Sequence, residues 1–66
     1  MKLTELQKVI LEELIKGSTN QQIAEKTGYC ERSIKRKIKH LFNTFDVKNR
    51  SSLVREAIIS KANGII

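Results

Sequence analysis

The chain has 66 residues with a formal net charge of +6, and it holds one cysteine and no proline. This length accommodates one domain with a small core, so helix packing or association with a second copy is expected to add stability. The absence of proline and the few glycine and aromatic residues favour helices over sheets, and a single cysteine excludes an intrachain disulfide. We therefore expect one all-α domain covering residues 1–66.

The amino-terminal segment carries no pattern for secretion or membrane insertion. Met1 and Lys2 are followed by an amphipathic stretch instead of a continuous apolar run. The longest apolar run is also far too short to cross a bilayer. We expect a cytoplasmic protein with a reduced cysteine and no membrane partner.

The first helix is predicted over residues 3–16. Thr4 is its expected amino-terminal cap, and Gln7 completes a capping box. Gly17 is expected to end the helix. Its apolar face consists of Leu3, Leu6, Val9, Ile10 and Leu14.

Residues 20–43 have the spacing of a helix-turn-helix motif. A short helix over residues 20–26 contains Ala24, whose small side chain lets two helices approach closely. Gly28 follows where the turn needs a positive φ angle. Ile34 then anchors the next helix to the core.

That next helix is predicted over residues 31–44 and has two opposite faces. The apolar face consists of Ile34, Ile38, Leu41 and Phe45. The polar face consists of Arg32, Lys35, Arg36, Lys39 and Asn43. Like charges four residues apart destabilise an isolated helix, so this basic ridge indicates a polyanionic partner.

The positive charge of the chain is concentrated around this helix. Residues 31–50 hold seven of the thirteen lysine and arginine residues and only two acidic ones. A run of lysines without a motif would be read as a solvated surface. Because this run coincides with a helix-turn-helix pattern, we interpret it as a nucleic-acid-binding surface.

Cys30 stands where the longer helix should be capped. A thiol accepts hydrogen bonds poorly, so Glu31 is expected to compensate through the helix dipole. The thiol has two readings, a redox sensor or a partly buried structural residue, and we favour the second.

The fourth helix is predicted from Ser51 or its neighbour to about Ala62, after a connector over residues 46–50. Its apolar side consists of Leu53, Val54, Ala57, Ile58 and Ile65. Ile59 lies off the centre of that side, which leaves apolar surface available for a partner.

These motifs together resemble the LuxR/GerE-type helix-turn-helix domain over roughly residues 3–61. The matching positions are Leu3-Thr4, Gly17 to Asn20, Gln22-Ile23-Ala24, Gly28, Glu31 to Lys35, and Phe45-x-Val47-Lys48-Asn49-Arg50-Ser51. The resemblance implies four helices, with the third in the major groove of DNA and the fourth mediating dimerisation.

The chain departs from the family pattern at several scaffold positions. Leu6 and Gln7 replace an arginine-glutamate pair, Gln22 replaces a glutamate, and Cys30 replaces the capping serine. We expect the loss of these carboxylates to remove hydrogen bonds or ion pairs without touching the basic ridge.

The resemblance and the charge pattern together give an expected DNA-binding set. Lys35, Arg36 and Lys39 would contact base edges and phosphates, with Arg36 suited to bidentate contact with guanine. Phosphate contacts that fix register are expected from other residues, and the start of the second helix could hold a phosphate through its backbone amides. The remaining members of the set are Asn20, Arg32, Ser33, Lys37, His40, Lys48 and Arg50.

A two-fold dimer is expected to place two copies on paired half-sites. The candidate contacts are Leu53, Ala57 and Ile58. The alternative, given equal weight, is that these side chains complete the core of the monomer.

The predicted function is therefore a sequence-specific DNA-binding transcriptional regulator acting on double-stranded DNA. The alternative is an adaptor or anti-regulator that docks on RNA polymerase or on a partner regulator through the fourth helix. An enzyme is not expected, because the chain has one histidine, one cysteine and no carboxylate cluster. We expect no metal, cofactor or small-molecule ligand.

Overall fold

The computed structural model describes residues 2–66 and contains four α-helices in that range. They are α1 (Glu5–Ile15), α2 (Asn20–Thr27), α3 (Glu31–Thr44) and α4 (Arg50–Ala62). The all-α prediction is confirmed. Across residues 2–66, none of these helices has the length and apolar character needed to cross a membrane.

Matching capping boxes begin α1 and α2. The Gln7 backbone N–H donates to Thr4 Oγ1 over 3.1 Å, and the Thr4 N–H donates to Gln7 Oε1 over 2.9 Å. Thr19 and Gln22 make the same pair of bonds at 3.1 and 2.8 Å. The expected loss of hydrogen bonds at Gln22 is therefore wrong for the cap, because a side-chain amide accepts this bond as a carboxylate would.

A left-handed residue stands at the carboxyl-terminal end of each of the four helices described within residues 2–66. Gly17 follows α1 with φ 85°, and the Ser18 N–H reaches back to the Glu13 carbonyl over 3.0 Å. Asp46 takes the same place after α3 with φ 54°, in a conformation that aspartate tolerates better than most residues. The predicted stop at Gly17 is confirmed.

The start of α4 differs slightly from the prediction. Its cap is Asn49, whose Oδ1 accepts the Ser52 N–H over 2.8 Å, so the helix begins at Arg50 and not at Ser51. Asparagine is among the best amino-terminal caps, which explains the earlier start.

The core lies where two helix pairs meet, α1 with α4 and α2 with α3. Its buried apolar members are Leu3, Ile10, Leu11, Leu14, Ile23, Ala24, Ile34, Ile38, Leu41, Leu53 and Ala57. On α4 the buried positions are Leu53, Ala57 and Ser60, which follow an i, i+4, i+7 spacing. That spacing turns Ile58, predicted on the inward side, towards solvent, where it is 51% exposed.

One carboxylate joins α1 to α2 through polar contacts. Glu13 is buried, and its Oε2 accepts from Lys26 Nζ at 2.8 Å and from Lys16 Nζ at 3.3 Å. The Ser18 hydroxyl donates to Glu13 Oε1 over 2.9 Å. The Lys26 ammonium, followed by the Ser18 hydroxyl, lowers the pKa of Glu13 to about 2. The same contact raises the pKa of Lys26, so this ion pair fixes the motif helix α2 against α1.

Candidate nucleic-acid interface

The basic ridge of α3 is exposed along its length. Its members Arg32, Lys35, Arg36, Lys39 and Asn43 are all exposed. The opposite face buries Ile34, Ile38 and Leu41 in the core. One face of α3 therefore fixes the helix to the domain, and the other presents cations at helical spacing to solvent.

Lys37 lies beside this ridge and contacts the turn that precedes α3. Its ammonium nitrogen lies 4.9 Å from the centroid of the Tyr29 ring, within the range of a cation–π contact. Lys37 is half-buried, whereas Tyr29 is 45% exposed. The phenol therefore orients this cation near the amino-terminal end of α3.

Three further expected contact residues lie on α3 or in the connector that follows it. His40 is exposed on α3, and Lys48 is exposed in the connector to α4. Ser33 is half-buried, and its hydroxyl lies 3.3 Å from Cys30 Sγ.

Cys30 caps α3 without a side-chain hydrogen bond to the helix backbone, as predicted. The expectation that it is partly buried is wrong, because the thiol is free and exposed. The neighbouring Ser33 side chain lowers the pKa of this thiol.

Arg50 and Asn20 meet across 30 residues of sequence. Arg50 Nη1 donates to Asn20 Oδ1 over 2.7 Å, and Arg50 Nη2 donates to the Ser18 carbonyl over 2.8 Å. Both side chains were expected at DNA phosphates. The structure brings them together at the amino-terminal end of α2 and gives each an intramolecular partner.

The three residues expected at a dimer contact separate into two groups. Leu53 and Ala57 are 0% exposed and belong to the core, so the monomer-core alternative holds for both. A side chain with no exposed surface cannot contact a second copy. Ile58 remains available, and Ile59 beside it is 45% exposed.

Two features of this surface were not predicted from the sequence, the position of Tyr29 and the contact between Arg50 and Asn20. Tyr29 could have been found as an aromatic residue in the turn beside a basic helix, a combination common in nucleic-acid interfaces. The Arg50–Asn20 contact left no local signal, because its partners are distant in sequence. No group of His, Cys, Asp or Glu that could hold a metal ion occurs within residues 2–66.

Comparisons with known proteins agree with this architecture. A family model described as bacterial regulatory proteins, luxR family (GerE), matches residues 1–57. The transcriptional regulatory protein ComA of Bacillus subtilis (strain 168) is 36% identical over 64 residues. That alignment covers 97% of this chain and 28% of ComA, so the chain spans less than a third of the length of this relative. No solved structure matches the chain significantly.

The family match extends over α1 to α3 and into α4, and so includes the whole helix-turn-helix motif. The resemblance deduced from the motifs is confirmed by this match and by the identity to ComA. The chain belongs to the LuxR family of bacterial regulatory proteins, whose members are transcription regulators and not enzymes.

Proposed function

We propose that this chain binds double-stranded DNA as a sequence-specific transcriptional regulator, with α3 in the major groove. The observation that carries the proposal is the exposed basic ridge on a helix whose opposite face is buried. An α-helix with its side chains is about 10–12 Å across, which fits a major groove about 12 Å wide. ComA, a transcriptional regulatory protein by its name, supports the same role.

Within this proposal, the residues of the basic ridge make different kinds of contact with DNA. Arg36 is the best candidate for reading guanine, because its planar guanidinium can donate two parallel hydrogen bonds. Lys35 and Lys39 supply single contacts to bases or phosphates, and Arg32 and Ser33 lie at the end of α3 that would enter the groove first. Further phosphate contacts come from Lys37, His40 and Lys48.

The amino-terminal end of α2 provides a second contact with the DNA backbone. The Thr19 side chain caps the Gln22 N–H, and the preceding N–H groups of the first turn have no partner within the helix. These groups lie at the positive end of the helix dipole and suit a phosphate oxygen.

A selection of bound sequences from random duplex DNA tests the proposal directly. We expect enrichment of a defined sequence, with half-sites about one helical turn apart if two copies bind together. With about five phosphates neutralised per subunit, log affinity should fall against log salt with a slope of about −4.5. No enrichment, together with no salt-dependent affinity for duplex DNA, would contradict the proposal.

We also propose that two copies associate through α4. Ile58 and Ile59 are 51% and 45% exposed, and Ile65 beyond the helix is 39% exposed. Three exposed large apolar side chains within residues 58–65 favour a protein contact. With Leu53 and Ala57 inside the core, the exposed large apolar side chains in or just beyond α4 are Ile58, Ile59 and Ile65, which we call the isoleucine face.

The same isoleucine face supports a second candidate function. An adaptor or anti-regulator would use it to dock on RNA polymerase or on another regulator. A chain that forms a stable complex with such a protein and fails to shift duplex DNA in a gel would favour this function over the first.

A further inference from the structure

Arg50 makes a forked contact with the chain at the entrance to α2. Its two terminal nitrogens donate to Asn20 Oδ1 at 2.7 Å and to the Ser18 carbonyl at 2.8 Å. Ser18 and Asn20 stand on either side of Thr19, the residue that caps α2. The fork therefore spans the cap of this helix.

This contact joins helices that do not otherwise pack together. Within residues 2–66, α4 packs against α1 and α3, and α2 packs against α3 and α1. The guanidinium of Arg50, at the first position of α4, bridges from α4 to the start of α2. It thus supplies, at the start of α2, a link to α4 that helix packing does not provide.

The Ser18 side of the fork is held by further bonds. The Ser18 hydroxyl donates to Glu13 Oε1 over 2.9 Å, and the Ser18 N–H donates to the Glu13 carbonyl over 3.0 Å. Glu13 in turn accepts from Lys26 of α2 over 2.8 Å. Arg50 therefore completes a polar network that ties both ends of α2 to the rest of the domain.

We propose that Arg50 is a positioning residue for DNA binding, which holds the amino-terminal end of α2 in place for a phosphate, and is not itself a principal phosphate ligand. This inference rests on the proposed DNA-binding function. It follows from the two short bonds, because a guanidinium engaged by acceptors that flank the cap has its orientation set by the protein.

Charge and geometry can be separated by substitution. A phosphate ligand would act mainly through its charge, so Arg50→Lys would retain much of the affinity and Arg50→Ala would reduce the salt slope by about 1. A positioning fork would act through geometry, because one ammonium cannot reproduce two bonds in a fixed plane.

The experiment measures binding of the full chain to a random-sequence 20-base-pair duplex by fluorescence anisotropy over a range of salt concentrations. We expect Arg50→Ala and Arg50→Lys to lose affinity equally, about tenfold, with the salt slope unchanged. Asn20→Ala should weaken binding alone and add little in the Arg50→Ala background, since both remove one contact. Arg55→Ala, with the same charge change at an exposed site of α4, is the matched control and should change affinity less than twofold.

Amide hydrogen exchange in the free protein supplies a readout independent of DNA. The Gln22 and Ile23 amides, which donate to the Thr19 cap, should exchange faster in Arg50→Ala than in Arg55→Ala. If Arg50→Ala does not fold, Arg50→Lys and Asn20→Ala test the same fork. Rescue by Arg50→Lys, or a salt slope reduced by about 1 in Arg50→Ala, would overturn the positioning role alone. An unsubstituted chain without DNA affinity would overturn the proposed function and this inference together.

Discussion

Under the proposed function, recognition of the DNA base sequence depends most on Arg36. Replacing it with alanine removes a forked donor and should cost about 1–3 kcal/mol of binding free energy, with relaxed preference at one base pair. Quantitative binding to the selected site and to its single-base variants measures both effects.

Arg55→Ala serves as the control for Arg36→Ala, because it makes the same charge change on an exposed position outside α3. If Arg36→Ala and Arg55→Ala lost the same amount of binding affinity, the effect would be one of charge alone and not of base recognition. Unchanged affinity in Arg36→Ala would remove this residue from the reading set.

Glu13 should make the stability of the domain sensitive to acid. Its pKa lies at about 2 in the folded chain, below its ordinary value of 4.5, because Lys26 and Ser18 stabilise the carboxylate. A depressed folded pKa means that this contribution to stability is complete above pH 4.5 and is lost as the pH falls towards about 2. Urea unfolding midpoints of the native chain should therefore fall over this interval.

The variant Glu13→Gln isolates that contribution. It should be less stable than the native chain at pH 6 and should approach it in stability at the acid end. Glu25→Gln changes an exposed carboxylate on α2 and should leave the pH dependence nearly as in the native chain. A Glu13→Gln variant that follows the native chain at a constant difference down to low pH would contradict the role assigned to this ion pair.

Residue roles were predictable from the sequence only where the partner is near in the chain. The Thr4–Gln7 capping pair and the exposed ridge depend on residues three or four positions apart, and both are found in the structure. Glu13 reaches Lys26 across 13 residues, and Arg50 reaches Asn20 across 30. Contacts between residues this far apart in sequence are set by tertiary packing, so they cannot be predicted from periodicity and motif spacing.

Among the four helices of residues 2–66, α3 is the one whose capping side chain makes no hydrogen bond to the helix backbone. Cys30 has the extended conformation of a cap, with φ −78° and ψ 159°, but makes no side-chain bond to the helix backbone. Serine at this position can accept the Ser33 N–H, so Cys30→Ser should raise the free energy of unfolding by about 1 kcal/mol. Urea unfolding at neutral pH measures the change.

Cys30→Ala is the matched control, since alanine is similar in size and cannot cap. It should give no gain over the native chain. Equal stability of the serine and alanine variants would mean that capping does not limit α3, and that Glu31 in the first turn already compensates.

The helix boundaries were predicted well from the sequence, because threonine caps and glycine stops depend only on residues near the end of each helix. The inward face of α4 was predicted less well, because this helix has apolar residues on more than one side. Ile58 and Ile59 are both exposed, whereas Ser60 is buried. Which side turns inward depends on how α4 packs against α1 and α3, which is a property of the assembled domain.

For the whole molecule, the expected assembly depends on the isoleucine face. The double variant Ile58→Ser/Ile59→Ser should lower affinity for paired half-sites about tenfold or more, because it removes apolar surface buried between copies. Binding to a single half-site should not change, which provides an internal control. Both side chains are about half exposed and lie outside the buried core, so the unfolding free energy should change less than for a core substitution.

Sedimentation with and without the paired site measures the assembly directly. A native chain that remains monomeric at high micromolar concentration, and that occupies two half-sites independently, would contradict association through α4. If the double variant lost as much affinity for single half-sites as for paired ones, the substitutions would have damaged the domain itself.

The glutamine at the third position of α2 has a consequence for DNA approach. Gln22 accepts the Thr19 N–H with an uncharged oxygen and leaves the helix entrance without a formal negative charge at that position. A glutamate there would make the same bond but would repel a nucleic-acid strand brought close to it. Under the proposed function, this chain thus keeps its cap and avoids that repulsion, and Gln22→Glu should slow association with duplexes most at low ionic strength.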